Sequence, residues 1–496
     1  MEVFMIVKKK DQMAKDKFRI NEEKKRKFLM EGNLWKVILY VTFPIIIYLV
    51  FQALFNSYDI LILQRDKENP RDSNLLSVMN RIHLVKDILI PFGASIATAG
   101  VILVGRNYGR KNIEKMRLYL TQTFLVSIII GIIITILCTL ILKSTILQYL
   151  VDYPSITDPI NQKDANNYYL IIFYSLSCII MNLVFLSLER AKGNNKMIFW
   201  ITTLNIFIKI ILSLVFYQYN IFPLKGKISA LAWATFISHA VVTLFAFYFL
   251  FLNQNNPLKI IVKKIRFEKK FLKKLFQLAI PICVGIMIYS VGRLVINIVV
   301  KKQYQATTET QLLLAVSVNN IFFNIINSFA DSQNAIISQN LGQNNLKRVF
   351  ETFKKVVITI FIVTLIGTLL HTFCYKCILS LIDGTKFDEI DDNEKIIFKT
   401  LFFYETASLW LTCFSNILFS FFTSFEKTKV PLIMNFIRIV SSVFLLWSLN
   451  SINLISSSHK VGLSLFLGNL ICIIITLLLF IPFYHKNKNE YIDVED

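Results

Sequence analysis

Residues 124–142 read FLVSIIIGIIITILCTLIL, without one charged side chain. A helix needs about 20 apolar residues to cross the hydrocarbon core of a bilayer, and this stretch has that length. Similar apolar runs recur along all 496 residues, of which 55% are hydrophobic and 17% are charged. A soluble protein carries about 25% charged residues, and the mean hydropathy here is +0.56. The chain is therefore predicted to be an all-α integral membrane protein, which excludes most classes of cytosolic enzyme.

Twelve segments have the length and composition of transmembrane helices. Their predicted boundaries are 34–63, 75–104, 117–143, 165–188, 197–222, 228–252, 272–300, 310–341, 349–375, 397–424, 431–450 and 460–484. A long basic loop separates the first six from the last six. The predicted divisions are a solvated basic tail (1–33), an N-terminal six-helix bundle (34–252), a basic linker (253–271), a C-terminal six-helix bundle (272–484) and a C-terminal tail (485–496).

The charges of the loops predict the orientation. Lys and Arg number 54 against 32 Asp and Glu, a formal net charge of +22. In a membrane protein such an excess indicates cytoplasmic basic loops and attraction to anionic lipid headgroups, and it does not indicate nucleic-acid binding. The N-terminal tail and the loops after the second, sixth and eighth predicted spans are the basic ones. We therefore expect a multi-pass protein of the cell membrane with both termini in the cytoplasm.

The two halves resemble each other in order. Pro44 and Pro281 lie in the first span of each half, and Glu189 and Glu426 follow each fourth span at the same offset. The ends of the second spans also match, with a small shift. Two bundles related by an internal repeat, with a site between them, are typical of secondary transporters.

Four short motifs resemble those of one transporter family. They are Pro44 followed by Asp59 in the first span, Arg106-Asn107-Tyr108-Gly109 after the second, Glu189-Arg190-Ala191-Lys192-Gly193-Asn194 after the fourth, and Asn205-Ile206 in the fifth. On these motifs the chain resembles the multidrug and toxic compound extrusion (MATE) transporters, members of the multidrug/oligosaccharidyl-lipid/polysaccharide exporter superfamily. The resemblance implies two bundles that alternate between inward- and outward-open states. It also implies a monomer that exports small amphipathic or cationic substrates in exchange for Na⁺ or H⁺, with no cofactor beyond that ion and no metal centre.

The resemblance also implies a coupling site in the N-terminal half, formed by an aspartate of the first helix with Asn and Asp of the fifth. Asp59 and Asn205 match this pattern, but Lys209 stands where the second aspartate is expected. In the other half, Tyr289 and Asn416 stand where one branch of the family has acids. A lysine in a span must find a counter-charge or water, or lose its proton. We therefore predict that Lys209 pairs with Asp59 as a built-in cation, so that Na⁺ is not needed.

Other ionisable residues within the spans are candidate site residues, because buried charges are costly in membranes. Arg293 in the seventh span and Asp331 in the eighth are predicted to form a second pair. Arg438 and His239 are interpreted as packing or cavity residues. The charged second span, which includes Asp87, is expected to face a cavity rather than lipid.

Three functions compete. The first is secondary-active export of drugs or toxic metabolites. The second is a flippase for an anionic lipid-linked saccharide or phospholipid, for which Lys209, Arg293 and Arg438 would suit a phosphate. The third is a multi-pass enzyme such as a lipid-sugar glycosyltransferase. The first outer loop is too short for a catalytic domain, and no His-Glu-x-x-His, nucleophile elbow or phosphate-binding glycine loop occurs. We therefore expect a transporter and not an enzyme.

Overall fold

The computed structural model describes residues 23–64, 73–150, 159–218, 227–254, 256, 259–260, 267–304, 306–383, 391–452 and 455–495. Within these ranges every regular element is a helix. The helices are α1 (Glu23–Glu31), α2 (Leu34–Gln64), α3 (Ser73–Gly109), α4 (Ile113–Ile136), α5 (Lys143–Thr145), α6 (Pro159–Ala191), α7 (Asn195–Gln218), α8 (Ile228–Phe247), α9 (Lys269–Gln303), α10 (Ala306–Gly342), α11 (Leu346–Asp383), α12 (Asp392–Ser424), α13 (Lys429–Asn450) and α14 (Ser457–Glu495). Short π-helical turns flank α5 and extend α8.

The long helices confirm the predicted all-α membrane architecture. In the described ranges, ten helices are long and apolar enough to span a membrane, and up to twelve if each of two bent pairs counts as one span. Helices α2–α8 form an N-terminal bundle and α9–α14 a C-terminal bundle, which meet mainly through contacts of α10 with α2 and α3 and of α3 with α9.

Four helix ends lie together at one side of the molecule, which we call the basic end. Here α3, α6, α10 and α12 end in the same turn. One residue adopts a left-handed conformation, and its N–H and the N–H of the next residue both donate to carbonyls of the last helical turn. The left-handed residues are Lys111, Gly193, Asn344 and Glu426. The internal repeat is thus visible in the backbone. The predicted match of Glu189 with Glu426 is wrong, because Glu426 occupies the turn position of Gly193.

The hydrophobic core is joined at the basic end and divided at the other. One cluster contains residues of both bundles, such as Val104 and Ile337, near the basic ends of α3 and α10. Toward the opposite end each bundle has its own cluster, around Tyr169 in the N-terminal bundle and Phe398 in the C-terminal one. The bundles are therefore packed together at the basic end and separately cored at the other.

Residues 23–33 differ from the solvated tail predicted for 1–33, while residues 1–22 lie outside the described part of the chain. From residue 23 onward the chain forms α1, in which Leu29 and Met30 are buried in the shared core. Arg348 of the C-terminal bundle donates to the Leu29 and Gly32 carbonyls at 3.1 and 2.8 Å. Lys25 donates to Asn194 of the N-terminal bundle at 2.5 Å. The prediction failed because the basic residues of α1 share the helix with an apolar face that packs on both bundles. At the other terminus, the predicted tail continues α14 as a helix to Glu495.

Candidate functional site: the cavity between the two bundles

A cavity of about 750 Å³ lies between the bundles. Helices α2, α3, α6 and α7 line one side, and α9 and α10 line the other. The walls are mostly apolar and include Tyr48 and Phe323, while Asp87 and Asp331 supply carboxylates. This mixture of apolar walls and a few polar groups is typical of small-molecule sites. The expectation that the charged second span faces a cavity is confirmed for Asp87.

The two carboxylates of the cavity come from opposite bundles. Asp87 belongs to α3, and Asn320 of α10 holds the equivalent place of the repeat, since each precedes its helix-ending glycine by the same distance. Asp331 accepts a hydrogen bond from Arg190 at 3.2 Å, and this ion pair joins α10 to α6. The Asp331 side chain is still 52% exposed, so it remains accessible from the cavity.

The predicted pairing of Arg293 with Asp331 is wrong. Arg293 instead donates to Glu405 of α12 at 3.4 Å, inside the C-terminal bundle. At 1.5 Å per residue, Arg293 lies roughly 36 Å along α9 from the basic end, while Asp331 lies roughly 16 Å from it along α10. The two residues are therefore at different depths, which hydropathy alone does not distinguish.

A smaller cavity of about 210 Å³ extends from Asp331 into the C-terminal bundle. Its polar lining includes the Asp331 carboxylate and several amides. Asn416 donates to Asn327 at 2.8 Å, and Asn435 donates to the Gly285 carbonyl at 3.2 Å. Asn416 is the residue that, by the resemblance given above, stands where an acid is expected. An amide pair occupies that place here, so the cavity offers neutral hydrogen bonds at Asn416 and Asn327 and a carboxylate only at Asp331.

The N-terminal bundle contains a cluster of basic side chains. His83 bonds to Tyr168 at 2.5 Å and to Lys86 at 2.9 Å. Lys209 is 8% exposed and lies close enough to His83 and His239 to interact with both electrostatically, as does Lys86. The structure thus brings Lys209 together with basic groups of α3 and α8.

Of the other two predicted coupling residues, the structure describes the side chain of Asn205 and not that of Asp59. Asn205 lies one turn before Lys209 on α7, and its side-chain oxygen is buried without a hydrogen-bond donor in the described part of the chain. Asp59 belongs to α2, but its side chain lies outside the described residues. The Asp59–Lys209 pair therefore stays a prediction.

Polar contacts between the bundles close the cavity at the basic end. Arg106 of α3 bonds to Glu426 at 2.6 Å and to the Ser424 carbonyl at 2.9 Å. Within the C-terminal bundle, Lys274 of α9 bonds to the same carboxylate at 3.1 Å. Beside them α3 crosses α10 so closely that a Cβ on Gly109 or Gly342 would strike the backbone of the other helix. The crossing therefore requires glycine on both helices.

The same arrangement occurs in proteins of known family. A model of the MatE family matches residues 44–215 and 281–447, one stretch in each bundle and together more than half of the chain. The chain belongs to the MatE family. It is a multi-pass membrane protein of a family of transporters.

Among relatives of this MatE protein, the probable multidrug resistance protein YoeA of Bacillus subtilis (strain 168) is 24% identical over 220 residues. The match covers 42% of this chain and 44% of YoeA, less than half of either.

Solved structures match over almost the whole MatE chain. A MATE protein in complex with MaD3S aligns with a TM-score of 0.80 at 18% identity, over 93% of this chain and 98% of that one. An outward-facing multidrug resistance MATE family transporter of the MOP superfamily gives 0.81 at 17%, over 93% and 98%. A MOP superfamily transporter from Pyrococcus furiosus Vc1 (DSM3638) gives 0.78 at 17%, over 93% and 98%. At these identities the likeness shows the fold.

Sequence reasoning missed several partners in the MatE site. The sequence predictions assign no partner to Arg190, which occurs in the motif after the fourth span, and none to Glu405. Both are ionisable residues within or at the end of a span, a signal that should have marked them. No such signal marked Glu426, whose carboxylate contacts both Arg106 and Lys274. Its contact with Arg106 depends on how the two bundles meet.

Proposed function

We propose that this MatE chain is a secondary-active exporter of small amphipathic or cationic compounds. It works by alternating access, in which two bundles rock about a cavity between them. The observation that carries this proposal is the distribution of the core: the bundles share one at the basic end and keep separate ones at the other. Such a molecule opens at one end without unfolding either bundle. The relative named as a multidrug resistance protein supports the substrate class.

The basic end is proposed to face the cytoplasm of a cell-membrane protein, because cytoplasmic loops carry the excess of Lys and Arg. Both termini are then cytoplasmic. The bundles are held together on that side by the Arg106–Glu426 contact and part toward the outside, which suits release of an exported compound. The functional unit is proposed to be a monomer, since each chain carries both bundles and a whole cavity.

Recognition of cations is assigned to Asp87 and Asp331. The carboxylates attract positive charge, and Tyr48 and Phe323 offer aromatic faces to a planar cation. Because Asp331 already pairs with Arg190, a cation that displaces Arg190 would weaken a contact between the bundles. Binding and rocking would then be coupled.

Coupling is assigned to Asp59, Asn205 and Lys209, with H⁺ rather than Na⁺ as the ion. Lys209 and Lys86 concentrate positive charge beside His83 and His239, and Na⁺ is repelled from such a region. A proton that binds to or leaves this cluster would then be exchanged for the positive charge of a cationic substrate.

The test is ethidium efflux from a drug-sensitised bacterial host, followed with Na⁺ present or absent and with the proton gradient intact or collapsed. We expect Na⁺-independent efflux that stops when the proton gradient collapses. Asp59→Asn, Asp87→Asn and Asp331→Asn should each lower efflux. Asp392→Asn is the matched control, since that side chain is 93% exposed.

Two results would contradict parts of this proposal. Strict Na⁺ dependence would reject proton coupling through Lys209. Absence of efflux under every condition, with the protein shown in the membrane, would reject drug export and favour the lipid flippase.

A further inference from the structure

Arg438 is a buried cation of the C-terminal bundle without a counter-charge among the residues that the structure describes. Arg438 lies in α13, 3% exposed. An arginine side chain brings a fixed positive charge wherever it is buried. Two nitrogens of Arg438, Nε and Nη2, are buried without a hydrogen-bond partner in the part of the chain that the structure describes. No ion pair joins Arg438 to a described carboxylate.

Aromatic rings take the place that a carboxylate would normally hold. The rings of Tyr289 on α9 and Phe419 on α12 each lie 5.6 Å from the Arg438 guanidinium carbon. Rings of this kind attract a cation through their faces. They accept no strong hydrogen bond, so the N–H groups of Nε and Nη2 are not satisfied by them.

Three other basic side chains of this bundle have a hydrogen-bond acceptor. Arg293 has Glu405, and Lys274 has Glu426. Lys460, 7% exposed, donates to the Asn450 carbonyl at 3.4 Å. An unpaired charge is costly to bury in a membrane and marks a functional position by default. Arg438 therefore carries a charge that nothing described in its own bundle neutralises.

The geometry of the unsatisfied nitrogens points to one kind of ligand. Nε and Nη2 form one edge of the planar guanidinium, and their parallel N–H groups match the two oxygens of a carboxylate. A single guanidinium between apolar walls balances one negative charge. A phosphate dianion would keep a second charge unpaired in the same place.

The side cavity of about 210 Å³, which Asp331 also lines, is adjacent to Arg438 through Phe419. Phe419 both lines this cavity and stacks on Arg438. Asn435, one helical turn before Arg438, also lines it, together with the apolar Ile282 and Leu432. A small flat aromatic ligand has room in a cavity of this size. Its carboxylate reaches the buried guanidinium only if the Phe419 ring moves, since Phe419 belongs both to the cavity wall and to the surroundings of Arg438.

We propose that Arg438 binds the carboxylate of a small aromatic ligand that enters through the side cavity. This ligand class differs from the cations assigned to the central cavity. The proposal does not depend on drug export, because it is tested by binding to the isolated protein. Failure of benzoate binding would not contradict drug export, and failure of drug export would not contradict benzoate binding.

The probe is benzoate, with neutral benzamide and cationic benzamidine as matched compounds. The full-length protein, purified in detergent in chloride-free buffer, is heated with each compound and its unfolding temperature is recorded. We expect benzoate alone to raise the unfolding temperature of the intact protein. Arg438→Met should weaken the apparent affinity for benzoate at least about tenfold, the loss of one charge-assisted pair of hydrogen bonds. Arg438→Lys should lie between, since it keeps the charge and loses the planar edge.

Two controls separate binding from structure. Without ligand, Arg438→Met should be as stable as the intact protein or more so, because it removes an unpaired buried charge. Lys460→Met removes another buried cation of the same bundle and should keep the benzoate response.

The proposal is overturned if benzoate has no effect on the intact protein, or the same effect on Arg438→Met. It is also overturned if chloride or benzamide stabilises the protein as much as benzoate. Should Arg438→Met fail to fold, Arg438→Lys decides, since unchanged benzoate affinity in that variant contradicts a bidentate contact.

Discussion

The two bundles share a backbone plan and differ in how they bury positive charge. In the N-terminal bundle, His83 and Tyr168 lie beside Lys86 in a hydrogen-bonded cluster, and Lys209 is close by. In the C-terminal bundle, Arg293 has one carboxylate and Arg438 has two aromatic rings. The two halves of the repeat thus share the same helix-ending turns but differ in the side chains that surround their buried positive charges. Proton exchange is expected in the N-terminal cluster, because it contains imidazoles, whereas Arg293 and Arg438 supply fixed charges in the second bundle.

Removal of Lys209 should have the largest effect on transport. Lys209→Met takes the built-in cation out of the N-terminal cluster, and we expect efflux to fall at least about tenfold, as for other functional charges within spans. Lys36→Met, on an exposed position of α2, should transport normally. Ethidium efflux at matched expression measures both. Normal efflux by Lys209→Met would show that the N-terminal cluster is structural and remove the contrast between the bundles.

The glycine crossing tests whether the halves are equivalent where they meet. Gly109→Ala and Gly342→Ala each place a Cβ against the backbone of the other helix. Overpacking of this kind costs about 1–3 kcal/mol. Because the contact is reciprocal, the two variants should lose stability equally, as measured by the unfolding temperature in detergent.

Gly105→Ala is the control for this crossing, since its Cβ would lie 3.2 Å from a single side-chain atom, Ser338 Cβ. It should be milder than either crossing variant. Unequal losses for Gly109→Ala and Gly342→Ala would mean that one bundle yields at the crossing and the other does not.

The Arg293–Glu405 pair tests the fixed charges of the C-terminal bundle. Glu405→Gln leaves Arg293 without its carboxylate and should destabilise the protein by about 1–3 kcal/mol, the cost of an unsatisfied buried polar group. Adding Arg293→Met should restore most of the loss, because both charges are then absent. Thermal unfolding of the two single variants and the double variant measures the coupling. Additive losses would show that the two residues do not interact.

The smallest effect is expected at Glu426. Its contacts with Arg106 and Lys274 are partly exposed, and such pairs contribute about 0.2–1 kcal/mol. Glu426→Gln should therefore shift the balance toward opening at the basic end by up to about fivefold. Labelling of a cysteine introduced at Asn334, which lines the cavity, reports this opening from the cytoplasmic side. An unchanged labelling rate would show that the glycine crossing holds the end closed by itself.

Sequence predicted the helices well because a span is a local property. Residues 124–142 have to be buried in lipid whatever surrounds them, and the membrane fixes how long they must be. The same logic placed Asp87 on a cavity wall, since a carboxylate does not face lipid.

Contacts between side chains of different helices were harder to predict from the sequence. Arg293 and Asp331 looked like a pair because each is a lone charge in a neighbouring span, but pairing depends on depth along antiparallel helices. The packing of α1 was missed because Lys25 and Arg26 suggested water, while Leu29 and Met30 decide where the helix lies. In each case the missing information was three-dimensional.

The glycine crossing also makes the molecule a lever. Helix α3 runs from Ser73 to Gly109, 37 residues, or roughly 55 Å. With its fulcrum at Gly109, a rotation of about 10° would carry the far end of the helix through roughly 10 Å. Near the fulcrum the same rotation changes distances by about an ångström, enough to break a hydrogen bond such as that of Arg106. A small displacement at the basic end therefore produces a much larger separation of the helices at the opposite end, wide enough for a substrate.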